Sequence, residues 1–185
     1  MRRYFLTLLA AGLIGSPAIA QPSTVILVRH AEKASQTESD PTLSEAGAQR
    51  ARDLAAALAD AGVTTVITTQ FQRTRLTAAP LVDAIKPKTI VVPVTGSLAT
   101  HIADILAAVM ARPSGEVVLV VGHSNTIAPI VAALGGPKMP NLCDSQYSKM
   151  FILEMTGANP PRLILANYGD ADRADPVCAR KMKAP

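Results

Sequence analysis

The sequence predicts an α/β domain: a three-layer sandwich with a mostly parallel central sheet. Three observations predict it. Short β-branched, apolar runs alternate with stretches whose apolar residues recur at helical spacing. The apolar content, 49% of 185 residues, is mostly Ala, Val, Leu and Ile, with aromatics at 3% and no Trp. That is the usual filling for helices packed on a buried sheet. Polar residues gather where the apolar runs end, which in an open α/β sheet marks the ligand crevice.

The elements follow in order. Thr24 to Val28 reads as a buried strand. Ser44 can cap a helix carrying Ala51, Leu54, Ala55 and Leu58 on one face and ending at Gly62. Thr65 to Thr69 is a second strand. Arg73 to Ile85 is a second helix, interrupted or ended around Pro80 and Pro87. Thr89 to Val92 is a third strand. Leu98, Ile102, Ile105, Leu106 and Val109 mark a third helix. Val117 to Val121 is an unbroken apolar strand, and Asn125 to Leu134 a helix closed by Gly135 and Gly136. Lys149 to Met155 and Arg162 to Asn167 read as two late strands, and the tail from Asp170 as polar and irregular. No repeat or interdomain linker divides residues 21–185, so one domain is expected.

Residues 1–20 read as a secretory signal. Arg2 and Arg3 precede an apolar run from Phe5 to Ile14, too short to span a bilayer. Ser16 and Pro17 break it, and Ala18-Ile19-Ala20 supplies a small-residue cleavage site. An uncleaved anchor or a core helix is the other reading. No Cys lies near the cleavage point, so no lipid anchor or stable membrane attachment is expected, and the mature protein is expected to be exported, periplasmic or secreted. Loss of Arg2 and Arg3 takes the formal charge of +4 to +2. With no basic stripe and no interleaved aromatics, nucleic acid is not an expected partner. Cys143 and Cys178 both lie in the mature part. Export permits a bridge, worth about 3–4 kcal/mol for a loop of this length, and two free thiols are the equal alternative.

Three segments carry chemistry. Arg29-His30-Ala31-Glu32-Lys33 follows the first strand. A neutral imidazole is a good nucleophile, and Arg29 offers a planar fork matched to phosphate oxygens. Taken alone, the pair also reads as a surface pair at a loop start. Thr68 to Ala78 follows the second strand and enters a helix whose first amides would welcome an anion, with Arg73 as a second clamp. Arg75, two positions on, points elsewhere and reads as solvated. Val121-Gly122-His123-Ser124-Asn125-Thr126 places a second histidine at another strand end, as a phosphate donor or as a core histidine bonded to a carbonyl.

Together these segments resemble the histidine phosphatase superfamily in its phosphoglycerate-mutase-like branch. The likeness runs in order along the mature chain: R-H-A-E after a strand, L-S-E-A-G leading a helix, R-T-R-x-T-A, then G-H-S after a strand. It implies a phosphohistidine intermediate on His30, a phosphate pocket of Arg29, Arg73 and His123, a small phosphorylated substrate, and no metal or organic cofactor. Hydrolysis is expected over mutase action, since about 165 mature residues leave little room for a closing lid.

The general acid departs from the family pattern. Between Arg73 and His123 stand Asp83, Asp104 and Glu116, the first two inside predicted helices and the third at the far edge of the sheet. Glu32, two residues from the nucleophile, is the nominee; a structural carboxylate orienting an arginine is its alternative role. Asp144 is a third choice. Relatives acting on phosphohistidine lack a dedicated acid. Ser124 in G-H-S-N-T suggests an α/β-hydrolase elbow, but the histidine that should follow it is missing. Metal binding by His30, His101 and His123 lacks ligand spacing, and His101 beside Asp104 reads as a surface residue. A non-catalytic domain that binds phosphorylated ligands would use the same pocket without needing a nucleophile. Specificity is expected from the loops Ser35–Pro41 and Gly136–Ser148. The sequence sets neither the substrate nor the oligomeric state.

Overall fold

The computed structural model describes residues 21–155, 159–173, 175–176 and 178, so the expected signal segment lies outside the described residues. The elements are β1 (Thr24–Arg29), α1 (Glu45–Leu58), β2 (Val63–Thr68), α2 (Gln72–Ile85), β3 (Lys88–Val91), α3 (Leu98–Met110), β4 (Val117–Gly122), α4 (Ile127–Ala133), β5 (Lys149–Glu154) and β6 (Arg162–Asn167). The strands form one six-stranded sheet in the order β3-β2-β4-β1-β5-β6.

The three layers follow from alternation along each strand. In β1, Val25 and Leu27 face one side, joined there by Ile105 and Val109 of α3 and Ile127, Ile130 and Val131 of α4. Ile26 and Val28 face the other side, against Leu54 and Leu58 of α1 and Ala78 and Leu81 of α2. Continuous apolar runs in β1 and β4 are what a strand covered on both faces requires.

The sheet is mixed, which corrects the mostly parallel expectation. β3, β2, β4 and β1 pair in parallel. β5 runs antiparallel to β1, and β6 antiparallel to β5. Parallel neighbours need a crossover of a dozen or more residues. Helices supply it as far as β4. After β4 only the short α4 follows before β5, and no helix separates β5 from β6, which returns directly alongside it, so the late pair is antiparallel.

Two helices differ from expectation. α2 ends as expected just before Pro87, on Lys86 in the left-handed region, φ 50°, but it runs without a break through Pro80. Pro80 forfeits one helical bond, to the carbonyl of exposed Leu76, which water can satisfy. α4 starts two residues later than expected. The Thr126 hydroxyl accepts from the His123 amide at 2.8 Å and the Thr126 amide donates to the His123 carbonyl, which holds a turn before the helix.

Candidate active site

β1 and β4 are parallel neighbours in a register that sets Arg29 opposite Gly122. The next residues, His30 and His123, therefore leave the sheet side by side, and the His30 amide donates to the Gly122 carbonyl at 2.9 Å. Their rings lie 5.4 Å apart at 64°. Both are buried, at 5% and 9% exposure. Histidines 93 positions apart in sequence thus share one crevice at the carboxyl edge of the sheet.

The Nδ1 atom of His30 lies 2.8 Å from the carbonyl of Ala31. A carbonyl can only accept, so Nδ1 carries the proton and Nε2 keeps its lone pair. Burial, with the nearby Arg29 and Arg73 charges, pushes the His30 pKa down to about 3. Burial, followed by the His30 ring and Arg73, does the same to His123. His30 is therefore a neutral imidazole with a free Nε2 lone pair across the ordinary pH range. His123 is a neutral hydrogen-bonding group, its Nε2 3.3 Å from the Thr69 hydroxyl.

The backbone behind His30 is held by two helices. The Ala31 amide donates to the Thr77 hydroxyl at 2.8 Å, and that hydroxyl donates to the Arg73 carbonyl. The first helix docks through Gly47, where a Cβ would strike the Glu32 carbonyl oxygen. The glycine of L-S-E-A-G thus lets α1 approach the chain just after His30.

Arg29 is buried beneath the loop before β5. One terminal nitrogen donates to the carbonyls of Cys143, Asp144 and Gln146 at 2.9–3.0 Å. The other donates to the Tyr147 hydroxyl at 3.2 Å, and the guanidinium lies 3.9 Å over the Tyr147 ring. Its Nε is buried without a hydrogen-bond partner. Cys143 and Cys178 are joined in a disulfide, so the loop that orients Arg29 is stapled to the C-terminal segment. Arg73, in the first turn of α2, stacks over Phe71 at 4.1 Å and stands 3.7 Å from Asp40. Asp40 also accepts from the Gln72 amide at 2.9 Å, which docks the 35–41 loop onto the start of α2.

The carboxylates sort differently. Both oxygens of Glu32 accept from Arg50 Nε, at 2.9 and 3.0 Å, and Arg50 continues to the carbonyls of Tyr168 and Asp170. This is the arginine-orienting geometry, and Glu32 bonds neither histidine. Asp83 is exposed and pairs with Lys86, and Asp104 is exposed. Glu116 accepts from Thr65 at the opposite end of β4 from His123, roughly 20 Å away at the rise of a strand. Asp144 is fully exposed, 3.9 Å from Arg29. Arg75 is exposed, as its spacing predicts. Ser124 sits in the turn after β4, and its carbonyl accepts from the Leu142 amide.

His101 is a correction. It is 1% exposed rather than on the surface, and its Nδ1 has no hydrogen-bond partner. It lies four residues before Ile105 and eight before Val109, so α3 lays it on the buried stripe. Among the described residues, no group of three His, Cys, Asp or Glu side chains could hold a metal ion.

Residues 25–94 match the family model of the histidine phosphatase superfamily (branch 1). Over that stretch the chain is similar to the superfamily. The matched segment holds Arg29, His30, Glu32 and Arg73, and the fold adds His123 from beyond it. The fold is that of solved histidine phosphatases. A structure described as the phosphohistidine phosphatase SixA from Agrobacterium tumefaciens superposes with a TM-score of 0.57 at 19% identity, over 82% of this chain and 99% of that one. A SixA structure from Nakamurella multipartitia gives 0.56 at 22%, over 83% and 99%. A mycobacterial glucosyl-3-phosphoglycerate phosphatase gives 0.59 at 16%, over 79% and 98%. Among curated proteins, none matches the sequence.

Proposed function

We propose that this histidine phosphatase hydrolyses a small phosphomonoester or phosphoramidate through a phosphohistidine on His30. One observation carries the reading: a buried histidine with its Nδ1 proton fixed on the Ala31 carbonyl beside a second buried histidine, with Arg29 and Arg73 close enough to depress its pKa. In the first step a bond forms between His30 Nε2 and phosphorus while the bond to the leaving group breaks. The leaving group departs with the electron pair. Arg73, the Arg29 Nε and His123 meet the three peripheral oxygens, where fixed donors act most strongly. Water then attacks phosphorus and returns His30 to its neutral form.

Among the described residues, no carboxylate bonds either histidine. A site of that kind suits a leaving group that takes no proton from a protein carboxylate, which favours an activated ester, or a phosphoramidate whose nitrogen is protonated from solvent, over an alkyl ester. The SixA neighbours, described as phosphohistidine phosphatases, fit that preference. We assign residues 1–20 to a cleaved signal and the mature protein to an exported compartment. The Cys143–Cys178 disulfide supports this, since such bonds persist in oxidising surroundings. No described helix is long and apolar enough to cross a membrane.

The test is steady-state hydrolysis of a generic aryl phosphate with vanadate as inhibitor. Turnover inhibited by vanadate supports the reading. No hydrolysis at any pH from 4 to 9 refutes it.

A further inference from the structure

Two cavities adjoin the histidine pair, and their chemistry differs. One, of about 520 Å³, is lined by charges of both signs, including Glu32, Arg50, Asp53 and Asp172. Tyr147, whose ring lies 6.4 Å from His30, stands in its wall, and neither histidine lines it. The other, of about 300 Å³, is lined by His123 and Arg73 themselves. Its remaining wall is Phe71, Val94 and Leu98, with His101, Asn125 and Thr126.

The second cavity sets an apolar wall of Phe71, Val94 and Leu98 against the polar groups of the site. Val94 and Leu98 are 36% and 44% exposed, and they are two of the five exposed large hydrophobics in the described chain. Apolar surface kept open beside polar groups marks a binding site more often than chance. The wall is also fixed in place. The Val94 amide donates to the Gln70 side chain at 2.8 Å, and Ser97 caps α3 just before Leu98. No carboxylate lines the cavity, and Arg73 is its one arginine or lysine. A cationic leaving group finds no partner here. An anionic one competes with the phosphoryl group for Arg73.

Resting on the phosphatase reading, we infer that this cavity takes the leaving group and that the leaving group is a neutral aryl group, making the substrate class an aryl phosphate. Phe71 and Leu98 meet the ring faces. An aryl oxide departs with its electron pair and takes its proton from solvent, so the step needs no carboxylate donor. The charged cavity behind Tyr147 plays no part in holding it.

The experiment compares 2-naphthyl phosphate with 4-carboxyphenyl phosphate, whose phenols have similar acidity, so intrinsic reactivity is matched. The expected result is a kcat/KM at least about tenfold higher for the naphthyl ester, the discrimination a hydrophobic pocket provides. Leu98→Asp, an exposed change, should lower the naphthyl value about tenfold and erase the preference. Leu165→Asp, on exposed β6, should leave both values unchanged. Equal values in the unaltered protein, or equal losses for both esters in Leu98→Asp, overturn the cavity assignment alone when an acid-labile phosphoenzyme forms. No phosphoenzyme from either ester overturns the phosphatase reading and this inference with it.

Discussion

Replacing Gly47 with alanine tests how the helix behind the nucleophile is held. Gly47 is buried in the first turn of α1, with its amide on the Ser44 hydroxyl. An added Cβ would strike the Glu32 carbonyl oxygen and lie 3.0 Å from the Glu32 amide nitrogen. Both atoms are backbone, so no side chain can swing aside. Overpacking of this kind costs about 1–3 kcal/mol. At an unconstrained helix position the same change would instead gain up to about 1 kcal/mol from alanine's helix propensity. The two effects have opposite signs, and the structure says the clash wins by about 1–2 kcal/mol. For a domain of this size that lowers Tm by roughly 2–8 °C. The displaced strand end also carries His30, so turnover of an aryl phosphate should fall along with Tm. Thermal unfolding by circular dichroism reads the first effect. An unchanged or raised Tm would refute the close approach of α1 to Glu32.

Three further outcomes follow. His30 and His123 have folded pKa values near 3 against an ordinary 6.5, so the unfolded chain binds more protons between those limits. Stability should therefore fall as pH drops from 6.5 towards 3, and a urea midpoint independent of pH across that window would contradict their buried, neutral state. Arg73→Ala should weaken vanadate inhibition by at least about tenfold, the loss of a charge-assisted contact, with the fold kept by circular dichroism; unchanged inhibition places Arg73 outside the pocket. Replacing Cys143 and Cys178 with serine opens a bridge spanning 35 positions, which costs about 4 kcal/mol by loop closure and loosens the carbonyls on Arg29. Tm should fall by roughly 8–16 °C and KM should rise; a lower Tm with unchanged KM would separate the staple from Arg29.

The parts legible in the sequence were those written in local periodicity. Continuous apolar runs located β1 and β4, and Ser44 marked the start of α1 through its own hydroxyl. His30 and His123 were legible because each stands directly after such a run. The direction of β5 was not legible, since nothing local says which edge of the sheet a strand will join. The partners of Arg29 were hidden for the same reason: Tyr147 lies 118 positions away, and Thr77, which holds Ala31, lies 46 positions from it. His101 was legible in its spacing to Ile105 and Val109, but a histidine beside Asp104 reads as exposed when residue type outweighs position. Glu32 was read from sequence distance to the nucleophile; Arg50, 18 residues on, takes both its oxygens. The two thiols could be paired only once the fold brought residues 143 and 178 together.

The proposed mechanism stands on the covalent bond to His30. The direct measurement is a single-turnover reaction with an aryl phosphate, quenched in base and analysed by intact mass and peptide mapping. One acid-labile phosphoryl group is expected on the peptide holding His30, absent in His30→Ala while that variant keeps its fold. An adduct that survives in His30→Ala, or turnover above a tenth of the original in that variant, would contradict it.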